Sequence, residues 1–365
     1  MKTIKVYCVP SHLTKERNSG VDYARVNSPM KWLNGYEDEE RDVQFEVDIF
    51  DIHKKKKDSW LEIAESHDII FFNYTVVDWH FAAMGSVVRG KGKKMIMDLD
   101  DAIWFVEEDN VVHNQLKELN ASYILSCIIN EVDGVTTTNG YLRNVIVDKT
   151  LKRHEQIKVM ENQIDLFLYN KTFPAKDTGK ITLMHYGSSS HFNDLLDPEF
   201  IKGMDKIMKD YPQVVFKAVG SFQKELRYKW GQRYQNAFGD VDIYKWIEHK
   251  FPEYMDECDI MVVPLRDTVY NRCKSDIKFL ESASAMKPGV FSDTRPYNDT
   301  IRHGITGYLA HTADEWYKYL KILIDSKEKR QEIGSNAYEY VKKERQQKDH
   351  VKEYADFILT TLDRI

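Results

Sequence analysis

The sequence predicts an α/β protein built as two domains of similar size that face each other across a cleft. Three observations carry this. Short apolar runs alternate with longer amphipathic stretches, the pattern of parallel strands joined by crossover helices. A polar, turn-rich stretch at 169–179 interrupts the pattern near the middle, and the pattern then restarts. The chain has 365 residues, more than one core usually serves, since single cores stop growing at about 250–300 residues.

In the first half, strands are expected over 4–9, 45–50, 68–73, 94–98, 134–137 and 157–161, with helical stretches over 29–33, 60–65 and 116–131. The first run begins almost at Met1 and reads as a strand, not as a secretory leader. In the second half, strands are expected over 181–186, 214–219, 259–263 and 289–292. Helices are expected over 197–211, 244–258, 275–286, 314–325, 327–342 and 347–365. Parallel sheets bind ligands beyond the carboxyl ends of their strands, where the strand order reverses, so the site is expected between the domains.

Lys and Arg number 52 against 58 Asp and Glu, a formal net charge of −6 with both signs interspersed. A nucleic-acid coat would be basic, so the overall balance argues against that role and leaves room only for a local basic cleft. Two Lys-rich patches, Lys54 to Lys57 and Lys91/Lys93/Lys94, read as solvated loop or helix ends. The alternative is an edge that meets anionic lipid or polymer. Cys8, Cys127, Cys258 and Cys273 form no C-x-x-C pair and no zinc spacing. The first three lie in or beside apolar runs, as small core residues do in a reducing compartment. No run of ~18 apolar residues occurs, so a cytoplasmic protein without a membrane span is expected.

The strongest chemical signal runs from Pro264 to Glu281, after an apolar strand and into a helix. Arg272 and Lys274, followed by Ser275, are expected at the helix N-terminus, where the dipole and outward N–H groups attract anions. Two cations there disfavour the helix alone, and a bound phosphate accounts for them. Glu281 shares a face with Lys274 and Lys278 and suits ribose hydroxyls; the bland reading is an exposed Lys278–Glu281 pair. Gly187-Ser188-Ser189 is a small-residue loop that lets backbone N–H groups approach a phosphate, or else an ordinary turn.

Asp98, Asp100 and Asp101 end a strand. Such carboxylates bind a divalent metal, move protons or hold sugar hydroxyls; Asp98 and Asp100 are expected in an acceptor or a structural role, and Asp101 also reads as a helix N-cap. His80 and His191 lie near strand or loop ends, where a lone histidine is more often structural than catalytic. Trp104, Trp230, Trp246 and Trp316 read as core.

The run Asn271-Arg272-Cys273-Lys274-Ser275-Asp276-Ile277-Lys278-Phe279-Leu280-Glu281, continuing to Val290, resembles the donor-binding segment of retaining GT-B glycosyltransferases. Bacterial glycan-building enzymes of family four are the nearest likeness. Thr294 to Tyr297 and Ile301 to Leu309 resemble the next block, and His185 to His191 with Asp194 the first strand and loop of the nucleotide domain. More loosely, Met97 to Trp104, Thr136 to Leu142, Val159 to Asn162 with Asp165, and Gly20 with Tyr23, Arg25 and Pro29 resemble blocks of the other domain.

This resemblance implies a GT-B fold of two Rossmann-like domains. Residues 1–172 would bind the acceptor, 173–346 the nucleotide-sugar, and 347–365 would form a helix crossing back to the first domain. It implies retaining transfer from a nucleotide-diphosphate sugar, a UDP-sugar first, with no tightly bound cofactor and no essential metal. The donor side would hold Gly187, Ser188, Ser189, Arg272, Lys274, Ser275 and Glu281. Arg272 and Lys274 with Asp98 and Asp100 would be catalytic, and Gly20, Arg25, Asp98 and Asp100 would meet the acceptor. The expected acceptor is a surface glycan or lipid-linked intermediate, with peripheral contact at the inner membrane face. The alternatives are a hydroxymethylated base in phage DNA, an inactive binding protein of the same fold, and a nucleotide-sugar epimerase. Many relatives carry two glutamates separated by seven intervening residues, the first touching the transferred sugar. Cys273 stands at that first position, which resembles an Asn-x-x-Lys-Ser subgroup.

Overall fold

The computed structural model describes residues 1–10, 20–50, 59–74, 79–169, 179–187, 191–220, 223–236 and 251–364, with backbone alone at 79–83 and 251–253. The first sheet contains β1 (Lys2–Val9), β2 (Glu37–Asp38), β3 (Val43–Ile49), β4 (Ile69–Asn73), β5 (Lys94–Leu99), β6 (Gly134–Thr137) and β7 (Ile157–Val159). Its spatial order is β2-β3-β1-β4-β5-β6-β7, parallel except for β2 against β3. The second contains β8 (Ile181–Tyr186), β9 (Val214–Val219), β10 (Tyr234–Asn236), β11 (Ile260–Val263), β12 (Gly289–Ser292) and β13 (Tyr308–Ala310). Its order is β10-β9-β8-β11-β12-β13, all parallel.

Parallel sheets need cover on both faces, which is why β4, β9 and β11 are buried at every residue. One face of the first sheet packs Phe72, Met97 and Val135 against Leu125 and Ile129 of helix Ala121–Glu131. The other packs Val6, Phe71 and Ile96 against Tyr354 and Ile358 of the last helix, Val351–Leu362. Gly134 admits this helix: a Cβ there would lie 3.0 Å from the Phe357 ring. The preceding helix, Lys327–Glu344, instead packs Ala337 and Val341 on the second domain. The chain crosses between domains at Arg345 and Gln346, where Ile164 N–H donates to Arg345 O at 2.8 Å and Gln347 N–H to Ile164 O at 3.0 Å.

Long apolar strands fall where the sequence places them, and β2, β10 and β13, of two or three residues, leave no periodic pattern. The helix expected over 116–131 is broken at Asn120, whose φ of 50° is left-handed, giving His113–Glu118 and Ala121–Glu131. The helix expected over 275–286 is Ile277–Ser284, and a separate short helix, Val269–Arg272, precedes it. The expected linker, apart from Tyr169 and Gly179, and residues 244–250 of the expected helix 244–258 lie outside the described residues; the rest of that span holds helix Phe251–Asp256. Gly20–Asp22, the π-helical turn Tyr23–Asn27 and Ser28–Leu33 form one continuous helix, since Asp22, Asn27 and Ser28 all keep helical backbone angles.

Strand order reverses between β1 and β4 in the first sheet and between β8 and β11 in the second. The segments after β8 and β11 therefore flank a crevice of the kind that binds nucleotides.

Candidate functional site

After β11 the chain forms helix Val269–Arg272, capped by Thr268, whose hydroxyl accepts from Asn271 N–H at 3.1 Å. This piece plugs into the first domain: Tyr270 and Cys273 belong to its hydrophobic core. Asn139 holds the plug, donating to Cys273 O at 2.9 Å and Lys274 O at 2.8 Å, while its own oxygen caps helix Gly140–Lys149. The plug brings Lys274 Nζ to 3.2 Å from Asp101 Oδ1 and 4.4 Å above the Tyr270 ring. The Tyr270 hydroxyl donates to Asp101 Oδ2 at 3.1 Å. Burial alone would lower the Lys274 pKa, but Asp101 and Tyr270 outweigh it and the ammonium is held charged. Burial would likewise raise Asp101, and Lys274 and Tyr270 pull it down.

Lys278 stands in the first turn of helix Ile277–Ser284, with Nζ 3.0 Å from His191 Nε2 and 5.6 Å from the Tyr186 ring. His191 Nδ1 is 3.0 Å from Asp194 Oδ2. Asp194 Oδ1 in turn accepts from Asn271 Nδ2 at 2.8 Å and from Arg266 N–H at 3.1 Å. Burial, then the charge of Lys274, lowers Lys278 to about 8. Burial and both lysines push His191 far below its ordinary value. Three residues on, the buried Glu281 carboxylate accepts from the hydroxyls of Tyr186 and Tyr169. Two buried ammonium groups and a carboxylate ringed by hydroxyls thus gather at the switch point of the second sheet. The first two suit an anion and the third a polyol.

Lys274, Glu281 and Gly187 are brought to this region. Gly187 lies against His191, and a Cβ there would meet the imidazole Cδ2 at 3.1 Å. Ser188 and Ser189 lie outside the described residues. Ser275 faces the domain junction, its Oγ accepting from Asn162 Nδ2 at 2.8 Å. Arg272 is a correction. It ends the short helix Val269–Arg272 instead of opening the next one, and its guanidinium forks onto Asp267 at 2.6 and 2.7 Å, half-exposed. Cys273, at the position where many relatives carry a glutamate, is fully buried in the first domain's core.

On the first domain, Asp98 and Arg25 are not acceptor-facing. Asp98 is 0% and Arg25 1% exposed. Arg25 Nη2 lies 2.6 Å from Asp98 Oδ1 and Nε 3.1 Å from Oδ2. Thr136 and Asn73 fill the remaining carboxylate positions at 2.6 and 3.1 Å. Arg25 also donates to Met160 O and Asn162 Oδ1. Gly20 is exposed at the head of its helix, next to residues that are not described. Asp101, which also reads as a cap, is instead the partner of Lys274 and Tyr270; the helical turn Ile103–Phe105 that follows starts after Ala102 with no side-chain cap. Asp100 remains: its Oδ1 is shielded from solvent and has no hydrogen-bond partner among the described residues. Burial, then Asp101 and Asp98, push the Asp100 carboxyl well above the usual carboxylate range.

Sequence reasoning undervalued Lys278, His191 and Asp194, and it missed Tyr186, Tyr169, Tyr270 and Arg266. The last donates across the junction to Asp109 at 2.7 and 3.1 Å. The H-x-x-D spacing of His191 and Asp194 was the one signal available. Trp230 and Trp316 are core, Trp104 is partly buried and donates to Ser126, and Trp246 and the His80 side chain lie outside the described residues. Lys91, Lys93 and Lys94 pair with Glu65, Asp68 and Asp133, and Lys54 to Lys57 are not described. Among the described residues, no group of three or more His, Cys, Asp or Glu is placed to hold a metal, and no helix is long and apolar enough to cross a membrane.

Residues 183–326 match the family model of glycosyl transferases group 1. No curated protein sequence matches significantly. Anabaena HepE, solved with UDP-glucose, superposes with a TM-score of 0.66 at 14% identity, covering 98% of this chain and 100% of that one. Sucrose-phosphate synthase from Thermosynechococcus elongatus gives 0.65 at 12%, covering 98% of both chains. A glycosyltransferase from Rickettsia africae gives 0.63 at 12%, covering all of both. The chain has the GT-B fold of these proteins, and residues 183–326 are similar to the group 1 glycosyltransferase family.

Proposed function

We propose that this GT-B glycosyltransferase moves a sugar from a UDP-sugar to an acceptor hydroxyl, with retention at the anomeric carbon. One observation carries the donor assignment: Lys278 is a buried ammonium that faces an imidazole instead of a carboxylate. A buried ammonium whose direct contact is a neutral imidazole, with carboxylates only farther off, is costly, and a bound diphosphate would offset that cost. Lys274 and Lys278 would hold the two phosphates, and Glu281 with Tyr186 and Tyr169 the ribose. HepE, of like fold, is solved with UDP-glucose.

In the reaction the bond from the anomeric carbon to the diphosphate oxygen breaks and the acceptor oxygen bonds to that carbon. The acceptor proton passes to the departing diphosphate on the same face. Negative charge grows on the diphosphate as it leaves, and ammonium groups already fixed in a dry site stabilise it without reorganising. Asp100, next to the Lys274 partner Asp101 and with an unsatisfied oxygen, would receive the acceptor hydroxyl. A surface glycan or lipid-linked sugar supplies such a hydroxyl.

A thermal-shift comparison of UDP, GDP, dTDP, CDP and ADP tests the donor class. UDP at 100 times its dissociation constant should stabilise the fold by about 2.7 kcal/mol. A shift with another nucleotide alone would reassign the base, and no shift with any would remove the donor site.

A further inference from the structure

Lys278 is held by a two-membered chain that the donor reading does not require. Its Nζ lies 3.0 Å from His191 Nε2, and His191 Nδ1 lies 3.0 Å from Asp194 Oδ2. An ammonium only donates, so Nε2 must be the acceptor and Nδ1 must carry the proton that Asp194 accepts. Asp194 is fixed by Asn271 and the Arg266 N–H, both in the segment that plugs into the first domain. The imidazole is fixed from its other side by Gly187, where a Cβ would stand 3.1 Å from the ring. His191, Asp194 and Lys278 are each under a tenth exposed.

We propose that His191, oriented by Asp194, is a positioning residue that aims the Lys278 ammonium at the diphosphate of the bound nucleotide. This deepens the donor reading and rests on it. A neutral imidazole holds the ammonium in place without cancelling its charge, as a carboxylate would. The charged groups facing Lys278 are Lys274, which opposes its protonation, and Glu281, Asp194 and Asp101, which favour it. A diphosphate adds negative charge to the favouring side, so binding draws a proton onto Lys278.

The test titrates UDP into the full chain by calorimetry, at pH 7 and, in buffers of different ionisation enthalpy, at pH 8. With Lys278 at about 8 in the free protein, the wild type should take up about half a proton per UDP at pH 8. His191→Phe should weaken UDP about tenfold at pH 7, and His191→Gln, which restores an acceptor, should recover most of that. If the wild type binds UDP and His191→Phe binds it equally well with the same proton uptake, the proposal is overturned and the donor reading stands. If the wild type does not bind UDP, both fall. Should His191→Phe fail to fold, Asp194→Asn, which loosens the imidazole that Asp194 holds, takes its place: weaker UDP binding is expected, and unchanged UDP affinity overturns the proposal.

Discussion

Arg25 and Asp98 form a bidentate ion pair buried at the carboxyl end of β5, with Nη2–Oδ1 at 2.6 Å and Nε–Oδ2 at 3.1 Å. The pair ties the helix of residues 20–33 to the first sheet, and Arg25 reaches on to Met160 and Asn162 beside the domain junction. Asp98→Asn strands a buried guanidinium and should cost about 3–5 kcal/mol of stability, read by urea denaturation. A variant as stable as the wild type that loses only transfer would return Asp98 to the acceptor site.

Much of this architecture is legible in the sequence because parallel strands covered on both faces must be apolar runs. Gly134–Thr137, Ile181–Tyr186, Val214–Val219 and Gly289–Ser292 coincide with the expected spans. The site was read less well, and for a physical reason. Arg25, Asp98, Arg272 and Lys278 are all charged residues within helices or strands. Whether each faces another charge or a ligand depends on contacts far apart in sequence, such as Arg25 with Asp98 and Lys278 with His191. Local spacing therefore favoured Arg272, which Asp267 neutralises, over Lys278, which it treated as half of an i,i+3 pair.

Lys278→Met should stabilise the unliganded protein while weakening UDP binding about tenfold or more. Burial lowers Lys278 from 10.5 to about 8, so between those values the folded chain holds fewer protons than the unfolded one. Wild-type stability therefore rises with pH across that window, and at pH 7 the penalty is present in full. Removing it is worth on the order of 2 kcal/mol, a rise of a few degrees in Tm. A Tm that falls instead would mean the lysine is satisfied in the free protein.

Asp100→Asn should leave UDP affinity unchanged and lower transfer. The raised carboxyl means the folded state keeps a proton that the unfolded state loses. Its stabilising contribution is full below the unfolded value of 3.8 and is lost as pH rises through the higher folded value. The variant cannot ionise, so it should match the wild type near pH 4 and equal or exceed its Tm at pH 8. A Tm below wild type at pH 8 would contradict this.

Thiol accessibility reports the plug. Cys127, expected in the core with Cys8 and Cys258, is exposed instead, while Cys8, Cys258 and Cys273 are buried, Cys273 between the domains and pushed up to about 12 by burial and Asp101. A disulfide reagent should find one fast thiol per native chain and four after unfolding. Tyr270→Ala, which removes the ring beside Cys273, should add a second fast thiol. Two fast thiols in the wild type would place Cys273 outside the first domain's core.

The most direct measurement compares UDP with uridine, by calorimetry at pH 7, on the wild type, Lys274→Met and Lys278→Met. Two ammonium groups on the diphosphate predict that the wild type binds UDP at least about a hundredfold more tightly than uridine, at roughly tenfold or more per charge-assisted contact. Each variant should lose most of that preference while keeping its affinity for uridine. Variants that keep the wild-type preference for UDP would contradict the account, because the diphosphate would then be held elsewhere.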